Sequence, residues 1–267
     1  QQLQLIFLAT ENDMLKIIKQ KKKMKSIRTQ LIVLFCVPIL FILVLGIVCS
    51  SSAAKALQSN YEEAATSTIK AKADHLALVF SDVQSKMDQL NSSSDVSLYY
   101  GQNYTAGTRD EYNAMKAIQA DISTLGGENE AIIGNIATIS YYGESYASDG
   151  KFTGTDVATA FEATEEGQSF RATGKMSQWT GRHAFVDSQL GLTENDYFMA
   201  VTARMVNALG KEIGYISADI KSSMLIDTLN GIDLAEGSIF GIVSPDGLEL
   251  TVTPDGVSDT AHFVGKK

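Results

Sequence analysis

Ile132-Ile133-Gly134-Asn135-Ile136-Ala137-Thr138-Ile139-Ser140-Tyr141-Tyr142 is where the chain changes period. β-Branched and aromatic residues dominate this stretch, and such side chains fit a pleated, half-buried surface. Downstream, Ser148-Asp149-Gly150-Lys151 reads as a tight turn, and Thr155 to Glu162 and Thr164 to Arg171 read as short helices. Three further strands are expected at Lys175 to Phe185, Asp196 to Val206 and Glu212 to Ile220, the last two joined by an Asn207-Ala208-Leu209-Gly210 turn. One strand, a helical excursion and three antiparallel strands make an α+β layout.

Upstream the chain reads as helix. A helix is expected from Arg109 to Leu125, with Tyr112, Met115, Ile118 and Ile122 on one side and Gly126-Gly127 ending it. Gly101 to Thr108 is a polar loop, and Asn91-Ser92-Ser93-Ser94-Asp95 breaks the preceding helix. Between Ser50 and Tyr100 there is neither proline nor glycine. Ile69, Ala73, Leu76, Phe80, Val83, Met87 and Leu90 recur at alternating steps of four and three, a single stripe on a helix. That stripe fits burial against the chain's own domain or against a second copy, since a 4-3 repeat is also a coiled-coil seam.

Leu31 to Val48 is an unbroken apolar run of eighteen residues. At ~1.5 Å per residue it is about the length that crosses a bilayer core of ~30 Å. Pro38 is compatible with a membrane helix, with a kink expected there. A signal peptide is the competing reading, with Cys49-Ser50-Ser51-Ser52-Ala53-Ala54 offering small residues for cleavage. The run exceeds the ~7–15 residues of a signal core, which favours an uncleaved anchor. If span and stalk are continuous from Leu31 to Leu90, the rod is about 90 Å long.

Charge sets the orientation. Lys16, Lys19, Lys21, Lys22, Lys23, Lys25 and Arg28 precede the run against only Glu11 and Asp13, a net +5 for residues 1–30. Basic residues so close to a span hold their side in the cytoplasm. The remaining residues carry 15 basic and 29 acidic groups, net −14. An exported part so acidic argues against nucleic acid and against anionic lipid as partners. Met24 begins a conventional anchor start, so residues 1–23 read as an upstream extension. The only cysteines, Cys36 and Cys49, lie in the span and at its edge, so disulfides do not hold the exported part together.

Lys221 to Asn230 reads as helix, punctuated by Gly231. Ser238 to Val243, a Pro245-Asp246-Gly247 turn and Leu248 to Thr253 then read as a hairpin. A lone hairpin cannot bury a core, so the chain is expected to be a fragment whose second module is cut off at Lys267.

The order of parts matches a sensor domain of the PAS kind. Trp179-Thr180-Gly181-Arg182-His183 with Asp187, then Tyr197, then Gly214-Tyr215-Ile216-Ser217-Ala218-Asp219-Ile220, then Gly237-Ser238-Ile239-Phe240-Gly241 and Asp246-Gly247, is similar to the ligand domain of the bacterial double-Cache chemoreceptors, the methyl-accepting chemotaxis proteins. The resemblance runs from about Lys25 to the end. It implies a cytoplasmic segment at 1–30, a membrane span at 31–49, a stalk helix at 50–95, a membrane-distal Cache module at 96–220, a linker helix at 221–230 and the start of a proximal module at 231–267. It also implies a homodimer in the cell membrane whose extracytoplasmic sensor binds a small amine, amino acid or carboxylate, with a cytoplasmic kinase and adaptor proteins as partners of the full receptor.

By position in that family, Trp179 resembles an aromatic wall, Tyr197 a hydroxyl donor and Asp219 the carboxylate that pairs a ligand ammonium; Arg182, Asp187 and Tyr141 complete the expected ligand set. A Trp face and a carboxylate together suit an amine. The family's amino-acid-binding branch has arginine and tyrosine where Ser177 and Thr180 stand here, leaving Arg182 or Arg171 to clamp a carboxylate.

Other classes have less support. His183 and Asp187 stand four apart, but the segment before them reads as strand, and neither His75 nor His262 has the spacing of a third metal ligand. No nucleophile elbow, zinc-protease helix or phosphate loop occurs, so neither an enzyme nor a cofactor is expected. The same sensor on a histidine kinase or a diguanylate cyclase, a surface enzyme using His183 and Asp187, and an adhesive surface protein remain as alternatives.

Overall fold

The computed structural model describes residues 27–193, 196–230, 239–253 and 256–257. The basic block before Ser26, the Gly231–Ser238 segment and the residues after Val257 lie outside the described residues, as do the expectations placed on them. Two compact units divide the chain, Gln1–Ser67 and Thr68–Lys267.

In the first unit the described residues form part of one helix, α1 (Ile27–Asn91), which continues through Pro38. Its Leu31–Val48 stretch is apolar and exposed, and the helix is long and apolar enough to cross a membrane.

The second unit begins within α1. Helices α2 (Ser94–Tyr100) and α3 (Arg109–Glu128) follow, then strands β1 (Ile133–Ser140), β2 (Glu144–Ala147) and β3 (Gly150–Thr155). Next come α4 (Val157–Glu162), α5 (Glu165–Ala172), β4 (Ser177–Thr180), α6 (Ala184–Leu190), β5 (Tyr197–Val206), β6 (Glu212–Lys221) and α7 (Ser222–Asn230). These six strands form one antiparallel sheet in the order β3-β2-β1-β6-β5-β4. A three-stranded sheet of β7 (Phe240–Val243), β8 (Glu249–Thr253) and β9 (Gly256–Val257) belongs to the same compact unit. The chain is therefore mixed helix and antiparallel sheet, with one long apolar helix ahead of a sheet domain.

The period-2 alternation of strands gives the large sheet two different faces. On one face Ile136, Val201, Ile216, Ala218 and Ile220 pack with Val83, Met87 and Leu90 of α1 and Ile118 and Ile122 of α3. On the other, Ala137, Ile139 and Tyr215 pack with Phe161, Phe170, Phe185 and Val186 from α4, α5 and α6. The α1 stripe is buried from Leu76 onward, with Val79 joining it, whereas Ile69 and Ala73 are exposed.

Three expectations need correction. The Gly126-Gly127 pair does not end α3, which runs on to Glu128. Gly126 is a packing residue: a Cβ there would stand 2.6 Å from Ser148 Cβ in the β2–β3 turn. The strand expected over Lys175 to Phe185 is β4 alone, because the chain turns after Thr180 and Phe185 and Val186 are buried from a short helix instead. That helix stops at Gly191, whose φ of 72° suits glycine and lets its N–H reach Asp187 O at 2.8 Å. Finally, β2 and β3 extend the sheet to six strands, a hairpin closed by Ser148-Asp149.

Candidate functional site

The face of the sheet covered by α4, α5 and α6 carries the buried charged residues His183 and Asp219. On β6, Tyr215, Ser217 and Asp219 alternate onto this face, while Ile216, Ala218 and Ile220 point to the other. Cross-strand pairing puts Thr202 beside Ser217, Ala200 beside Asp219, Thr180 beside Ala200 and Gln178 beside Thr202. One face therefore collects Gln178, Thr180, Thr202, Ser217 and Asp219 from three strands.

Over Asp219 lies His183, the residue that begins α6. Its Nε2 is 2.6 Å from Asp219 Oδ1, with side-chain exposures of 0% and 1%. The approach departs from the direction of a straight hydrogen bond, so the contact is an ion pair at short range. Burial alone would lower the His183 imidazolium, but Asp219, Glu166 and Asp187 outweigh it and raise its pKa. Burial pushes the Asp219 carboxyl up, and His183 opposes that rise. Wherever the shared proton sits, the pair has no net charge.

A second pair stands beside the first. Tyr197 donates to Asp187 Oδ1 at 2.7 Å and accepts the His183 backbone N–H at 3.0 Å. Arg182 donates to Asp187 Oδ2 at 2.7 Å, and its guanidinium lies 5.0 Å from the centre of the Tyr197 ring. Glu166 accepts the Phe185 N–H at 3.2 Å, and burial pushes its carboxyl up. Tyr197, Asp219, Arg182 and Asp187 are thus brought together as neighbours of His183.

Several buried polar atoms on this face lack a hydrogen-bond partner: Gln178 Oε1, Thr180 Oγ1, Ser217 Oγ and His183 Nδ1, while the Asn135 amide engages the Asp219 carboxylate and opposes the rise of its pKa. Native interiors leave few such atoms unpaired, and each costs about 1–3 kcal/mol. A cavity of about 440 Å³ approaches Asp219 from the end of the sheet, with Asn135, Tyr197, Gly126 and Ser148 in its wall.

Two expected residues lie elsewhere. Trp179 alternates to the opposite face, where its ring centroid is 5.0 Å from that of Phe80 of α1, so it does not wall this site. Tyr141 belongs to a separate network about 13 Å along the strand from Asp219, at ~3.3 Å per residue. There Tyr141, Tyr215 and Arg171 converge on Glu162, with Tyr215 donating at 2.5 Å. Burial would raise the Glu162 carboxyl, but these three partners hold it below its usual value.

Glu166, Asn135, Gln178 and Ser217 were not anticipated from the sequence, although Ser217 follows from Asp219 by strand alternation. His183 was read only as a weak metal or catalytic candidate. Among the described residues no group of three or more His, Cys, Asp or Glu side chains is placed to hold a metal ion. No protein-family model matches the chain, and no curated protein matches it in sequence.

Proposed function

We propose that this chain is the membrane-anchored, extracytoplasmic sensing part of a bacterial receptor, a PAS-like Cache module of the methyl-accepting chemotaxis kind that binds a small polar ligand. The observation that carries this reading is the sheet face under α4–α6, where buried polar atoms from β4, from β6 and from His183 stand without partners. A ligand satisfies such atoms; an unliganded core gains nothing from them. The long apolar helix preceding the domain supports the anchored part of the reading.

A route for the signal is built into β4. Gln178 and Thr180 face the site, and Trp179 between them packs on Phe80 of α1. Asn91 at the end of α1 also accepts the Val206 N–H of β5 at 3.1 Å. A ligand that binds one arrangement of the sheet better than another therefore biases how the sheet holds α1. Signalling of this kind needs differential affinity and no bond-making step.

The test is the melting temperature of the full chain in lipid nanodiscs across a panel of amines, amino acids, carboxylates and sugars. The reading expects a saturable rise with at least one compound and its loss in Ser217→Val. A folded chain whose melting point responds to none of the panel refutes it.

A further inference from the structure

Asp219 and Asp187 already have cationic partners within the chain: His183 at 2.6 Å and Arg182 at 2.7 Å. An incoming ammonium would find the Asp219 charge already balanced by His183, so seating it there would add a second cation to a buried site with one carboxylate. An incoming carboxylate would meet His183 but stand beside Asp219 in the same dry space. The groups left over are a mixed set of neutral donors and acceptors. His183 Nδ1 donates, Gln178 Oε1 accepts, and the hydroxyls of Thr180 and Ser217 do both. The Asp219 carboxylate beside them is already balanced by His183 and engaged by the Asn135 amide.

We infer that the ligand of this face is an uncharged molecule rich in hydrogen-bonding groups, such as a sugar, polyol or amide, and not a free amino acid or an amine. The inference rests on the sensor reading above and names the ligand class for that same site. His183 is the specificity-determining residue, because it supplies the positive charge beside Asp219 that a ligand ammonium would otherwise bring. Glu166, the remaining carboxyl near His183, is engaged through Oε2 with the Phe185 N–H and offers no second ammonium seat.

The experiment sets two groups of probes against the full chain in nanodiscs: D-ribose, D-galactose, myo-inositol and nicotinamide against L-alanine, L-glutamate, L-arginine and putrescine. The native chain is expected to show a saturable melting shift with an uncharged probe and none with the charged ones. His183→Gln, which uncovers the Asp219 charge, is expected to gain at least tenfold in affinity for alanine or putrescine and to lose affinity for the uncharged probe. A native chain that binds an amino acid or amine overturns the ligand class and leaves the sensor reading standing. A native chain that binds neither group overturns the sensor reading and this inference with it. If His183→Gln melts normally yet gains no affinity for ammonium probes, His183 is not the discriminating residue; if that variant fails to fold, the native panel alone decides.

Discussion

Asp219→Asn isolates the buried ion pair, because it removes a charge while nearly preserving volume. His183 has its pKa raised in the folded chain, so its stabilising contribution is complete below the unfolded imidazole value of about 6.5 and fades as pH rises through the higher folded value. Removing one member of a buried pair costs about 3–5 kcal/mol while the other stays charged. His183 can escape part of that cost by shedding its proton, so about 3 kcal/mol is expected at pH 6. For a unit of this size each kcal/mol moves the melting point by about 2–4 °C, which puts the variant about 6–12 °C below the native chain. Well above the folded imidazole value both chains hold a neutral His183, the charge attraction is gone, and the difference shrinks. Trp179 is the chain's only tryptophan and sits against α1, so its fluorescence reports unfolding without a label. A melting difference that is equal at pH 6 and pH 9.5 refutes the pairing.

Three further outcomes follow from other parts of the unit. Gly126→Ala drives a Cβ to 2.6 Å from Ser148 Cβ and is expected to cost about 1–3 kcal/mol, whereas Gly127→Ala meets nothing within 4 Å and is expected to gain up to about 1 kcal/mol; denaturant melts of the two variants separate these signs. Phe80→Leu and Trp179→Leu are expected to couple by about 0.5–1.5 kcal/mol in a double-mutant cycle of denaturant melts, since the two rings pack on each other. Glu162 is held below its usual pKa, so it stabilises the fold above the unfolded carboxyl value near ~4.3 and that contribution is lost as pH falls through the lower folded value. Glu162→Gln is therefore expected to flatten the acid side of the stability profile, measured by melting point against pH.

The long helices and central strands were legible because each keeps one period over many residues. Ile69 to Leu90 holds a 4-3 spacing, and Ile216, Ala218 and Ile220 alternate with Tyr215, Ser217 and Asp219. The β2–β3 hairpin was legible only as its turn, because Glu144–Ala147 is four residues long, too short to establish an alternating pattern. The segment Gly181 to Phe185 was misread because Phe185 suits a strand as well as a helix, and tertiary burial chose the helix. For the site, Asp219 was expected to pair a ligand ammonium, and the structure places it buried in its strand against a cation of the chain itself. The partner proved to be His183, thirty-six residues earlier, a contact that no local spacing encodes. The fate of Trp179 turns on a single register step, since its neighbours Gln178 and Thr180 take the face it was expected to share.

The central claim is that the unpaired polar atoms under α4–α6 exist for a ligand, and Ser217→Val combined with Thr180→Val tests it most directly. Native mass spectrometry of the chain with its best-binding probe, beside a melt without probe, reads both consequences together. The account predicts a one-to-one adduct on the native chain that vanishes in the double variant, while the unliganded double variant melts at the native temperature or above, because each removed hydroxyl relieves a dry, unpaired group worth about 1–3 kcal/mol. An adduct that persists in the double variant, or a double variant that melts far below the native chain, contradicts it, for then these hydroxyls serve the fold and not a ligand.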